Sequence, residues 1–148
     1  MSNKKKVVDQ YAIAFSQLTP ENAHELYDLV AEDVLFTDPF NYITGKEGFI
    51  HVFDHMFDTC TAPKFTITDI AHSRSSGYLR WRMSGRLKNW PHTRLDFEGM
   101  TEVTVNDDGK INRHRDHWDS ASQLLQHLPF IGVFMRPVLR LFRLTPKS

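Results

Sequence analysis

From residue 64 to residue 119 the chain alternates apolar and polar residues in four runs, KFTITDIAHS (64–73), GYLRWRMSGRL (77–87), TRLDFEGMTEVTVN (93–106) and KINRHRDHWD (110–119). The turn signals SSG, NWPH and NDDG separate them. A period of two is the signature of strands with one face buried, so these runs predict an antiparallel meander. In the second run Leu79, Trp81, Met83 and Leu87 share one face, and Arg80, Arg82 and Arg86 the other. In the third, Leu95, Phe97, Thr101, Val103 and Val105 oppose Asp96, Glu98 and Glu102. The expected sheet has one apolar and one charged face.

The first sixty residues follow a helical period instead. Val7, Val8, Tyr11, Phe15 and Leu18 recur at helical spacing. A second helix is expected from TPEN, with Thr19 as cap and Pro20 in the first turn. DVLFTDPF (33–40) reads as a strand entering a turn, and GKEGFIHVFDHMFD (45–58) as a third helix with Phe49, Phe53, Met56 and Phe57 on one side. Helices segregated to one side of a curved antiparallel sheet make an α+β fold, whose apolar sheet face is filled by the helices or partly left open as a pocket.

The last run is unusually rich in ionisable groups. Alternation places Asn112, His114, Asp116 and Trp118 on one face, and Arg113, Arg115 and His117 on the other. An inward Trp118 takes His114 and Asp116 in with it, and a buried carboxylate needs a partner such as an imidazole. Asp116 could equally tie a loop to the sheet. Asp38, at a strand end between Phe36 and Phe40 and just before Pro39, is the second candidate carboxylate. A turn-forming role is the competing reading.

Composition narrows the function. The formal net charge of +0 argues against a general nucleic-acid binder, which needs a basic excess. Cys60 is the single cysteine and forms no internal disulfide, which fits a reducing, cytoplasmic compartment. Asp9 and Gln10 interrupt the apolar run of MSNKKKVVDQYAIAF too early for a secretory signal. There is no Gly-rich phosphate loop, no nucleophile elbow and no metal-spaced cluster, and His114 and His117 sit on opposite strand faces, so neither cofactor nor metal is expected.

In order along the chain, two helices, AEDVLFTDPF, the helix start GKEG and DDGKI ahead of a final strand resemble the nuclear-transport-factor-two-like superfamily, specifically its SnoaL-like and ketosteroid-isomerase-like branch. The resemblance spans roughly residues 7–128. It implies a cone-shaped barrel, a curved antiparallel sheet wrapped around N-terminal helices, with a deep apolar pocket and commonly a homodimer through the outer sheet face. Asp38 matches the DP aspartate that shuttles protons in the isomerases. Their carbonyl-polarising Tyr and acid correspond here to Phe15 and Thr101. In SnoaL-type cyclases H-W-D follows G-K-I, and HRD places His114 and Asp116 in that register. Limonene epoxide hydrolase is similar through W-R-D-Y-F-D, but its Arg-x-Asp positions are Met83 and Gly85 here.

The implied function is cofactor-independent proton transfer, an isomerisation or aldol-type closure, on a small apolar carbonyl compound. Asp38 and Asp116 would exchange the proton, His114 would orient or polarise, and Phe15, Trp81, Met83, Thr101 and Trp118 would meet the substrate. The alternative is a non-catalytic ligand-binding or dimerisation module. The expected division is a SnoaL-like domain at 1–128 and a helical tail at 129–148. In the tail, Arg136, Arg140 and Arg143 lie opposite Ile131, Phe134, Val138, Leu141 and Phe142, predicting a helix that packs on the pocket mouth or the dimer, or touches a membrane surface through residues 130–147.

Overall fold

The computed structural model describes residues 3–89 and 93–144. The turn expected at NWPH and the last residues of the tail fall largely outside them. The chain divides into two compact units, the boundary falling between Trp118 and Asp119.

The first unit runs α1 (Asn3–Ser16), α2 (Ala23–Tyr27), β1 (Val30–Thr37), β2 (Tyr42–Thr44), α3 (Lys46–Thr59), β3 (Cys60–His72), β4 (Ser76–Leu87), β5 (Arg94–Val105) and β6 (Ile111–His117). The six strands form one sheet in the order β2-β1-β6-β5-β4-β3. The meander from β3 to β6 is antiparallel throughout, as the alternation predicts. The sheet as a whole is mixed, because β1 pairs parallel with β6. Parallel partners need a long crossover, and the excursion through α3 and β3–β5 supplies it. Bulges between Thr61 and Lys64 and between Ile67 and Asp69 interrupt the long β3–β4 ladder, where they bend it.

One core holds the unit together. Val7, Val8, Tyr11, Ala12 and Phe15 of α1 and Phe49 and Phe53 of α3 pack on Val34 and Phe36 of β1, Leu79 of β4, Val103 of β5 and Ile111 of β6. The opposite sheet face carries the expected charge ladder: Arg82 grips Asp96 with two bonds of 2.7 Å, and Arg80 lies 3.7 Å from Glu98.

The second helix begins later than TPEN suggests. Asn22 turns its side chain back, accepting from the Thr19 N–H at 2.7 Å and donating to the Gln17 carbonyl at 2.7 Å. Residues 19–22 are thereby held as a turn, and α2 starts at Ala23. The second unit contains α4 (Ser120–Gln123), a 3-10 turn (Leu125–His127) and α5 (Ile131–Arg140). Asp119 caps α4 by accepting from the Ser122 N–H at 3.0 Å. Among the described residues no helix is long and apolar enough to cross a membrane.

Candidate functional site

The β5–β6 register sets Thr101 opposite Asp116 and Val103 opposite His114, and the parallel β1–β6 register sets Phe36 beside His114. The alternation of β6 therefore delivers His114 and Asp116 to the helix-covered face, as expected. His114 is completely buried. Phe36 stacks on its ring with centroids 4.9 Å apart, and Phe15, Phe49 and Tyr11 surround it at 5.7–6.0 Å.

A closed apolar surround obliges each ring nitrogen to find a protein partner. Nδ1 lies 2.8 Å from the Tyr11 hydroxyl, and Nε2 lies 2.9 Å from Asp116 Oδ1. Asp116 Oδ1 also accepts from the Thr101 hydroxyl at 2.5 Å, and Thr101 in turn accepts from the Trp81 indole N–H at 2.8 Å. The result is one hydrogen-bonded chain, Tyr11–His114–Asp116–Thr101–Trp81.

The chemistry of its ends fixes its direction. An indole N–H can only donate, so the Thr101 hydroxyl must spend its own proton on Asp116. At the other end, burial first and the charge of Asp116 second push the Tyr11 phenol well above its ordinary pKa, so it stays protonated and donates to Nδ1. That leaves the His114 proton on Nε2, pointing at Asp116. Every proton in the chain is directed toward Asp116 Oδ1. Oδ2 takes none of the hydrogen bonds among the described residues, and the Asp116 side chain is 14% exposed.

The Trp81 end of the chain continues into a run of packed aromatic rings. Trp118 stacks on Phe97 at 4.2 Å and meets Phe40 edge-on at 5.8 Å, while Trp81 packs against Phe65 and Phe97. Gly99 makes that packing feasible: a Cβ there would stand 2.7 Å from Trp118 Cβ and 2.8 Å from both the His117 carbonyl and Trp81 Cη2. Phe15, Trp81, Met83 and Thr101 are all buried, whereas Trp118 is half-buried.

Asp38 is placed differently. It follows Thr37, the last β1 residue paired with β6, so its backbone lies at the same sheet end as Asp116. Its carboxylate is engaged in a local turn: Oδ1 accepts from the N–H groups of Phe40 and Asn41 at 2.8 and 2.7 Å, and the Asn41 amide donates to both oxygens at 3.1 Å. His114 and Asp116 are thus brought into contact with one another, with Thr101 and Trp81 linked to them, while Asp38 is tied to its own loop.

Sequence reasoning missed Tyr11. It sits one helical turn before Phe15, on the buried stripe of α1, and reads there as one more core aromatic. A phenol in an otherwise apolar stripe is the signal, since its hydroxyl needs a partner when buried. Among the described residues no three His, Cys, Asp or Glu side chains stand close enough together to hold a metal ion.

Known structures share this architecture at low identity. A protein of ketosteroid-isomerase-like fold from Catenulispora acidiphila, crystallised with trimethylamine, matches with a TM-score of 0.67 at 20% identity, over 80% of this chain and 88% of that one. An NTF2-like protein of Burkholderia thailandensis matches with a TM-score of 0.71 at 13% identity, over 81% and 93%. A candidate polyketide cyclase of Xanthomonas campestris pv. campestris matches with a TM-score of 0.66 at 16% identity, again over 81% and 93%. No protein of curated function is similar to the chain in sequence. The SnoaL-like domain profile matches residues 8–114, from the start of the α1 core stripe to the buried histidine, and the chain belongs to that family.

Proposed function

We propose that the chain binds a small, largely apolar carbonyl compound beside Asp116 and catalyses cofactor-independent proton transfer on it, as an isomerase or an aldol-type cyclase. The observation that carries this reading is the convergence of two donors on Asp116 Oδ1, which leaves Oδ2 for a ligand. Oδ2 would take a proton from the carbon next to the carbonyl; the C–H electron pair enters the enolate, and the proton returns at the product position. His114 and Tyr11 are positioning residues, since both His114 nitrogens are occupied and neither group reaches the reacting atoms. Trp81, Trp118, Phe15 and Met83 supply the apolar surround. Asp38 would share the proton only after releasing Asn41, so it is the second carboxylate of the reading. The charged outer face, with Arg80, Arg82, Arg86, Glu98 and Glu102, is proposed as the homodimer face, to be checked by light scattering.

The test is deuterium exchange next to the carbonyl of a panel of apolar ketones in heavy water, followed by proton NMR. The native protein should accelerate exchange, Asp116→Asn should abolish it, and Asp38→Asn should slow it. Equal exchange with the native protein and Asp116→Asn would defeat the enzymatic reading.

A second reading is a non-catalytic ligand site for an alkylammonium ion. A carboxylate joined through Thr101 to Trp81, whose ring packs on Phe97 and through it on Trp118, has the chemistry that recognises such cations, and the Catenulispora protein was crystallised with trimethylamine. Calorimetric titration with trimethylamine, showing binding that Asp116→Asn removes in a protein without exchange activity, would favour it.

A further inference from the structure

We propose that α5 and the turn following it form a docking surface for an anionic lipid bilayer, on which the helix lies parallel to the membrane plane. The helical path extends beyond Arg140, because Leu141, Phe142 and Arg143 donate their N–H groups to the carbonyls of Val138, Leu139 and Arg140. Ile131, Phe134, Val138, Leu141 and Phe142 fall on one stripe of that helix, and Arg136, Arg140 and Arg143 on the other.

The segment's own packing decides which stripe is outward. Gly132 is the one buried residue of α5. A Cβ there would stand 2.3 Å from the Gln126 carbonyl oxygen, and the Arg136 guanidinium donates to that same oxygen at 3.1 Å. The Gly132–Arg136 side is therefore the one that seats on the preceding turn. The apolar stripe faces away, leaving Phe130 82%, Phe134 76%, Leu141 80% and Phe142 82% exposed. Side chains of this size left in water mark an interaction surface rather than a folded core.

Charge complementarity selects the occupant. No Asp or Glu stands among residues 120–148, so the formally charged side chains there are all positive: Arg136, Arg140, Arg143 and Lys147. An uncharged apolar partner or a second identical helix would leave these cations unpaired or repelling one another, whereas an anionic bilayer accepts the aromatic stripe and neutralises the basic one. The helix is far too short to span, which leaves the interfacial orientation.

The test uses the full chain and sedimentation with vesicles of phosphatidylcholine, with and without phosphatidylglycerol. The expected result is binding to the anionic vesicles at low salt, weakening steeply as salt screens the arginines. Arg140→Gln and Arg143→Gln should each lower partitioning about fivefold. Phe134→Ser with Phe142→Ser should abolish it, while the circular dichroism of the protein stays native. No sedimentation with anionic vesicles at low salt overturns the proposal. So does equal binding to the uncharged vesicles, or a concentration-dependent dimer that Phe134→Ser dissociates in a protein that ignores vesicles.

Discussion

The two faces of β6 carry the same kinds of side chain and treat them oppositely. Inward, His114 and Asp116 enter a five-residue hydrogen-bonded chain in which every donor has a defined acceptor. Outward, Arg113 and Arg115 are exposed, and His117 lies 4.0 Å from Glu102 with more than half of its side chain in water. Water explains the contrast. An exposed charge exchanges its ion-pair partner for solvent at little cost, whereas a buried group without its partner forfeits its solvation outright. The inner face is specified atom by atom, and the outer face only in sign.

Breaking the inner chain should therefore have the largest effect. His114→Ala removes the link between Tyr11 and Asp116 and opens a cavity among Phe15, Phe36 and Phe49. It should cost about 3–5 kcal/mol, read as a fall in the urea midpoint. Gly99→Ala forces a Cβ against the His117 backbone carbonyl and Trp118, and should cost about 1–3 kcal/mol in the same assay.

Two tyrosines sharpen the comparison further. Tyr11→Phe leaves His114 Nδ1 buried without a donor, a loss of about 1–2 kcal/mol. Tyr27 presents the reverse case: its buried hydroxyl has no partner among the described residues, and burial first, then Asp54, pushes its pKa up to about 12. Tyr27→Phe should leave the urea midpoint unchanged or raise it.

Alkaline titration gives a linked result. The folded-state pKa of Tyr11 is raised, so the stability tied to its protonated form is complete below the ordinary tyrosine value and is lost as pH rises from there toward the folded value. Stability should fall with pH above about 10, and less steeply in Tyr11→Phe. The smallest effect belongs to the outer face. Asp96 is held below the ordinary carboxylate range by its hydrogen bonds from Arg82, so that contribution exists above the ordinary value and disappears as pH falls through the lowered one. Both side chains are in solvent, and Arg82→Gln should leave the urea midpoint at neutral pH unmoved. A large shift there would break the distinction between the faces.

Alternation alone placed His114, Asp116, Thr101, Trp81 and Met83 on one side of the sheet and the arginines on the other, because side-chain direction in a strand follows from that strand's own backbone. The helical stripes of α1 and α3 and the arginine stripe of the tail were legible for the same reason. Two features lay beyond such local rules. Tyr11 meets His114 across 103 residues, and the parallel β1–β6 pairing depends on a crossover. Asp38 is the local case: of its two readings, base and turn former, its carboxylate takes the turn with Asn41. Periodicity states which face a residue occupies and nothing about its neighbour on another element. That neighbour is chosen by register and by how a helix seats on the sheet, which only the assembled core determines.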